Sequence, residues 1–123
     1  MIKSKQAITS KTITTIIQKA AIDKKAENVS IIPIDHDAVI ADWFVICEGD
    51  NNNHTRAICD GIEETLRERQ QKAWHIEGRE EGNWIVIDYV TVVVHIMTPE
   101  IRQMYALEKL WEKPKAVRIA KAK

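Results

Sequence analysis

The sequence lacks an excess of either charge, has few cysteines and contains no long apolar run, and each lack excludes a class of protein. Its 18 basic side chains are balanced by 18 acidic ones, whereas proteins that depend on phosphate contacts usually carry a clear basic excess. Cys47 and Cys59 are too few and too far apart for a zinc ribbon, so free buried thiols in a reducing cytosol fit them best. No run of about 18 apolar residues occurs, so no membrane span is predicted. Because the basic and acidic side chains balance, direct nucleic-acid binding is not the leading interpretation of this sequence.

The two ends of the chain are nevertheless basic. Residues 1–22 carry four lysines and no acid, and the last twelve residues carry five basic side chains against one Glu. Solvated tails are the simpler interpretation of these ends, and contact with RNA beside a protein partner is the other.

The length and the periodicity of apolar residues predict one α/β domain. A chain of 123 residues with 45% hydrophobic residues can bury one core without disulfides. Ser10 and Thr98 are the expected N-caps of the first and last helices, and Pro99 suits a first helical position. The predicted elements are a helix over residues 10–26, strands over 29–34 and 43–47, a helix over 54–70, strands over 74–77, 84–89 and 92–97, and a helix after Thr98 whose apolar stripe is Ile101, Met104, Tyr105, Leu107, Leu110 and Trp111. This order predicts a mixed five-stranded sheet with helices, in which Pro33 confines the first strand to an edge.

The last two strands are separated by two residues, which predicts a hairpin and fixes its faces. If Tyr89 pairs with Val92, alternation gives one almost purely apolar face that packs on the helices, made of Ile85, Ile87, Tyr89, Val92, Val94 and Ile96. The other face, which we call the mixed face, consists of Trp84, Val86, Asp88, Val93, His95 and Met97. Its blend of aromatic, polar and flexible apolar groups suits a protein-binding surface better than a sealed core. Trp84 is the best candidate for a partner contact, with a core tryptophan as the alternative.

Three other patterns suggest chemistry, each with a simpler explanation. Asp35 and Asp37 of Asp35-His36-Asp37 could share a magnesium ion, but no Gly-Ser turn precedes them, so a solvated loop is the preferred interpretation. The turn at residues 49–53 precedes a helix, where phosphate often binds, yet it holds one glycine and the repelling Asp50. Asp88 and His95 are two pairs apart on the hairpin, so a histidine hydrogen-bonded within the sheet is preferred to a catalytic or metal pair. The basic side chains of Arg67, Arg69 and Lys72 alternate with glutamates, as on a salt-bridged helix face.

Five segments, in order and with matching spacing, carry a resemblance to a known family. They are the strand Ala41-Asp42-Trp43-Phe44-Val45-Ile46-Cys47-Glu48-Gly49, the helix from His54 to Glu64 with Arg56 and Ala57-Ile58-Cys59-Asp60, the pair Glu77-Gly78, the strands 84–89 and 92–97, and the last helix with Arg102, Tyr105 and Leu107 to Trp111. Over residues 8–112 the chain resembles the ribosomal silencing factors, or Iojap-like proteins. One departure is Val90-Thr91, where the family usually has Gly-Asp, and a β-branched residue resists the positive φ that a two-residue hairpin favours.

The resemblance implies a domain over residues 1–112, a basic tail over 113–123 and a fold similar to nucleotidyltransferases without their catalytic carboxylates. It also implies a cytoplasmic translational repressor that is not an enzyme. No cofactor and no association with a membrane are expected. Members of the family bind large-subunit ribosomal protein number fourteen and so block subunit joining. The expected contact residues are Trp84, Asp88, His95 and Met97, with Glu77, Arg102, Tyr105 and Glu108 as a polar surround.

Two other interpretations remain open. One is a small magnesium-dependent, nucleotidyltransferase-like enzyme that uses Asp35, Asp37 and Asp88. The other is a homodimer formed through exposed sheet surface, which is compatible with ribosome binding. The basic ends could then contact ribosomal RNA.

Overall fold

The structure, a computed structural model, describes residues 8–34 and 41–106. Its helices are α1 (Ser10–Asp23), α2 (Asn52–Glu68) and α3 (Pro99–Tyr105), and its strands are β1 (Glu27–Pro33), β2 (Trp43–Glu48), β3 (His75–Glu77), β4 (Trp84–Asp88) and β5 (Val92–Met97). The predicted order of elements is confirmed. Within the described residues, no helix combines the length and apolar character needed to cross a membrane.

The five strands form one sheet in the order β1-β2-β5-β4-β3. β2 and β5 run parallel and the other neighbours antiparallel, so the predicted mixed sheet is confirmed. β1 lies at an edge, and Pro33, which cannot donate to a ladder, ends it. The hairpin register is also the predicted one, because Trp84 pairs with Met97, Val86 with His95 and Asp88 with Val93.

The helix caps correct two predicted boundaries. α1 begins at Ser10 and is capped by Thr9, whose hydroxyl accepts a hydrogen bond from the Thr12 N–H at 3.1 Å. α2 begins two residues before the predicted His54, because the Asn51 side chain accepts from the His54 N–H at 2.9 Å. In both cases the cap lies three residues before the amide that it satisfies.

The main core lies between α1, α2 and the apolar face of the hairpin. Its fully buried members include Ile17, Ile58, Ile62 and Leu66 from the helices, packed against the predicted apolar hairpin residues Ile85, Ile87, Tyr89, Val92, Val94 and Ile96. Cys47 and Cys59 are free and buried in this core, as predicted.

The mixed face is more closed than the sequence indicated. Met97 is fully buried, and Val93 and His95 are nearly so. Val93 and Met97 belong to a second apolar cluster. Its other buried members are Ile32, Ile34, Phe44 and Ile46, and Ala41, Trp84, Val86 and Ile101 pack against it. The prediction of an open surface is therefore wrong for half of this face, because β1, β2 and α3 supply apolar neighbours to a central strand.

The side of α3 that packs on the sheet is not the apolar stripe that the sequence predicted. Ile101 packs on the second cluster, but Met104 and Tyr105 are 69% and 52% exposed. Arg102 is buried in their place. The expected stripe residues Leu107, Leu110 and Trp111 lie outside the described residues, as do the proposed tail at 113–123 and the end of the domain at 112.

The hairpin tip explains how Val90-Thr91 replaces a glycine turn. Val90 adopts φ 75°, a left-handed conformation that is costly for a β-branched residue. The Asp88 side chain accepts a hydrogen bond from the Val90 N–H at 2.7 Å, and the Tyr89 carbonyl accepts one from the Thr91 N–H at 2.9 Å. Asp88 therefore holds the tip in place of the usual glycine.

Candidate functional site: an aromatic patch on the mixed face

Trp84 lies at the start of β4, at the exposed end of the mixed face. Its side chain is half-buried, and its ring lies 4.8 Å from that of Tyr105 of α3, tilted by 48°. Its indole N–H donates to Nδ1 of His95 at 3.1 Å. The aromatic rings of Trp84 and Tyr105, together with the neighbouring Met104, form what we call the aromatic patch. Within the patch, Met104 and Tyr105 are exposed and Trp84 is half-buried.

His95 supports the patch from beneath. Its ring lies 4.8 Å from that of Phe44, and burial lowers its pKa to about 4, so the imidazole is neutral at physiological pH. An indole N–H can only donate, so Nδ1 must accept and the proton must sit on Nε2. Nε2 is buried and has no partner within the described residues. The predicted histidine bonded within the sheet is thus confirmed at one nitrogen only.

Asp88 contacts the hairpin tip and not His95. Its carboxylate accepts from the Val90 N–H, and its partner across the hairpin is Val93. The structure does not bring Asp88 and His95 together as a catalytic or metal pair, in line with the sequence interpretation.

Arg102, expected in the exposed polar surround, is instead a buried clamp. Only 8% of it is exposed, and it donates to Glu48 Oε2 at 3.3 Å, to Ser30 Oγ at 3.1 Å and to the Asn28 carbonyl. These bonds tie α3 to β1 and β2. Arg102 thereby fixes the helix that presents Tyr105, and it offers little surface to a partner.

The remaining predicted contact residues are dispersed. Met97 is fully buried behind Trp84, while Glu77 is exposed on edge strand β3, with its carboxylate 3.0 Å from Nε2 of His75. Glu108 lies outside the described residues. Met104 is exposed as well, although the sequence analysis placed it, like Tyr105, in the packed stripe of the last helix.

The candidate phosphate turn at residues 49–53 uses its donors internally. The Asp50 N–H donates to His54 Nδ1 at 2.8 Å, and the His54 N–H is capped by Asn51. A Cβ on Gly49 would lie 2.8 Å from the Thr55 backbone nitrogen, so the protein itself fills this space. The turn is a helix cap rather than a phosphate cradle.

The described part of the chain places three metal-type ligands together, on Cys59, Asp60 and Glu63. Both Asp60 oxygens are already bonded to Arg79, at 3.0 and 2.6 Å. Cys59 itself is buried in the core, and burial raises the pKa of its thiol to about 12. This group is better explained as an ion pair over a core cysteine. The Asp35-His36-Asp37 pattern lies outside the described residues, so the magnesium prediction stays a prediction.

The chain matches the family described as "Ribosomal silencing factor during starvation" over residues 7–123. It belongs to the ribosomal silencing factor family. A ribosomal silencing factor of Bacillus subtilis is 34% identical over 101 residues, which cover 82% of this chain and 86% of the relative. One from Halalkalibacterium halodurans is 37% identical over 92 residues, covering 75% and 79%. A mouse protein named for the mitochondrial assembly of the ribosomal large subunit is 31% identical, covering 72% of this chain and 40% of its own length.

Two solved structures share the fold. A crystal structure of a Chromobacterium violaceum protein superposes with a TM-score of 0.83 at 26% identity, covering 85% of this chain and 88% of the other. One from Bacillus halodurans gives 0.71 at 32% identity, covering 82% and 94%. The family prediction and the single α/β domain are thus confirmed, and the likeness to nucleotidyltransferases stays a prediction.

Proposed function

We propose that this protein is a cytoplasmic translational repressor that binds the large ribosomal subunit through its protein number fourteen and blocks subunit joining by occupying the joining surface. Family membership supports a ribosomal role, since the bacterial relatives are named ribosomal silencing factors. The name of the mouse relative refers to the large subunit. The mechanism requires an interface and no covalent chemistry, so it needs neither a catalytic residue nor a cofactor.

The observation that carries the proposed contact is the pair formed by the half-buried Trp84 and the exposed Tyr105. Large aromatic side chains dominate the binding energy of many interfaces, and here the ring centroids of Trp84 on the sheet and Tyr105 on α3 lie 4.8 Å apart. Since Arg102 and His95 hold this pair in place, little conformational freedom remains to be lost on binding. Glu77 supplies an exposed polar group on the neighbouring strand β3, and Asp88 supplies one at the tip of the hairpin, whereas Met97 acts through packing under Trp84.

Co-sedimentation of the full chain with isolated large and small subunits tests this proposal. We expect binding to the large subunit only, weakened at least roughly 30-fold by Trp84→Ala or Tyr105→Ala, as for an interface hot spot. Ile22→Ala is the matched control, because Ile22 is also about half exposed but lies on α1. Association with neither subunit, or unchanged binding by both aromatic variants, would show the proposal to be wrong.

A homodimer formed through the same patch would compete with the ribosome. Sedimentation equilibrium of the unmodified chain should then show a dimer that Trp84→Ala converts to a monomer. The RNA contact proposed for the basic ends requires that their charge reversal lower the salt sensitivity of subunit binding.

A further inference from the structure

Trp74, immediately before β3, is the most exposed large apolar side chain of the described residues, at 72%. Its backbone is held firmly, because its N–H donates to the Asp88 carbonyl at 2.8 Å. The ring is therefore displayed from a fixed position on the sheet edge. It is far along β4 from Trp84, and it is not part of the aromatic patch.

The Trp74 ring borders a concavity of about 300 Å³ between β3 and the end of α2. We call this concavity the Trp74 cradle; its lining residues are Glu63, Arg67, Lys72, Ala73, Trp74, His75 and Ile76. The His75 ring lies 5.7 Å from that of Trp74. The cradle thus combines aromatic faces with the cations of Arg67 and Lys72.

The charges of the cradle are available to a ligand. Arg67 pairs with Glu63 at 3.5 Å, but its side chain is 58% exposed, and such an exposed pair is weak and easily exchanged. Lys72 forms no salt bridge within the described residues. The buried Tyr89 hydroxyl also lacks a partner within the described residues, and burial raises the pKa of that hydroxyl.

We propose that the Trp74 cradle binds one unstacked nucleotide of single-stranded RNA, with the base on the Trp74 ring and a phosphate at Lys72 and Arg67. Proteins recognise single-stranded RNA by stacking splayed bases on aromatic rings beside basic groups. A peptide is less well matched, since a three-residue edge strand with the polar side chains of His75 and Glu77 offers little ladder for an added strand. The choice of RNA rests on the proposed ribosomal role, in which a single nucleotide contact would add to the protein interface.

The balanced charge of the whole chain is compatible with this site. One stacked base and one or two neutralised phosphates give weak binding alone, and the contact becomes effective when a second interface holds the partners together. The cradle and the aromatic patch are distinct surfaces and can be tested separately.

Titration of the ¹⁵N-labelled full chain with a single-stranded uridylate hexamer tests the proposal. Each of the four tryptophans gives one indole N–H signal, and Trp74→Phe identifies the Trp74 signal. We expect the Trp74 signal to shift and the Trp84 signal to stay. Trp74→Ala should weaken the fitted affinity at least about fivefold, the lower bound for losing one stacked base, while Trp74→Phe should retain most of it. Ile22→Ala is again the matched control.

Substitution of the cations gives an independent readout. Lys72→Gln and Arg67→Gln should each weaken hexamer binding and lower the salt dependence by about one unit of slope per lost phosphate contact. An unshifted Trp74 signal would overturn the proposal, as would a salt slope that both variants leave unchanged. A shift produced by an acidic peptide of glutamate and tyrosine, and not by the hexamer, would show that the cradle is a protein site.

Subunit co-sedimentation separates this proposal from the preceding one. Trp84→Ala should weaken large-subunit binding at least roughly 30-fold and leave the hexamer titration unchanged, whereas Trp74→Ala should weaken hexamer binding at least about fivefold and subunit binding several-fold. If Trp84→Ala has no effect on the subunits while the hexamer still shifts the Trp74 signal, the proposed function fails and the RNA site stands.

Discussion

The indole N–H of Trp84 donates a hydrogen bond to Nδ1 of His95 at 3.1 Å, diagonally across the β4–β5 pair. This one contact sets the tautomer of a buried histidine and orients the most prominent ring of the candidate interface. Four predictions about stability follow from it and from its surroundings.

Trp84→Phe should destabilise the fold by roughly 1–3 kcal/mol, because His95 would then have two buried nitrogens without partners. Phenylalanine keeps one aromatic ring against Tyr105 but loses part of the indole, so the packing loss must be separated from the hydrogen bond. Urea unfolding of the single variants and of the double variant with His95→Phe measures it as a coupling energy. If Trp84→Phe costs the same in both backgrounds, the bond contributes nothing to stability.

Stability should decline as the pH falls from about 6.5 to 4. Burial lowers the pKa of folded His95 to about 4, whereas the unfolded chain takes up the proton near 6.5. Above pH 6.5 the group is neutral in both states; below it, protonation favours the unfolded chain by up to about 3 kcal/mol. Unfolding free energies measured across this range should lose most of the decline in His95→Gln, and His75→Gln, at an exposed histidine, should keep it.

Arg102→Met should cost about 3 kcal/mol or more, because it leaves the Glu48 carboxylate nearly buried without its cation. Adding Glu48→Gln should restore part of the loss. Arg67→Met is the matched control, since the ion pair between Arg67 and Glu63 is exposed. This substitution should change the free energy of unfolding by less than about 1 kcal/mol. Equal costs for the two arginines in urea unfolding would contradict the assignment of Arg102 as a clamp on α3.

Val90→Gly should stabilise the protein by roughly 1 kcal/mol, because glycine adopts φ 75° without strain. The Val90 side chain is 57% exposed, so little packing is lost. Calorimetry should show a higher Tm for this variant and a lower one for Asp88→Ala, which removes the acceptor of the Val90 N–H. A lower Tm for Val90→Gly would mean that the turn is not strained.

The pairing of the hairpin strands could be predicted from their residues. Its alternation has a period of two and only two residues join its strands, so the pairing of Trp84 with Met97 and the apolar face toward the helices follow from local rules. The helix starts were less predictable. Ser, Thr and Asn all cap well, and Thr9 and Ser10 differ only in which hydroxyl reaches an unpaired amide.

The burial of the mixed face depended on residues that are distant along the chain. Ile32, Phe44 and Ile101 cover a face that local patterning left open. Arg102 bonds to Asn28 across 74 positions, and no spacing rule connects them. Likewise, the sequence around Trp74 did not indicate that its side chain would be exposed, because exposure depends on which other elements pack beside a residue.

The sequence alone therefore determined the family, the order of the elements and the two faces of the hairpin, since these follow from short-range periodicity and from motifs at fixed spacing. Only the tertiary structure decided that Arg102 and Met97 are buried, that Trp84 is half-buried and that Tyr105 and Trp74 are exposed. The physical reason is that burial is a property of pairs of elements, and the second member of each pair lies tens of residues away.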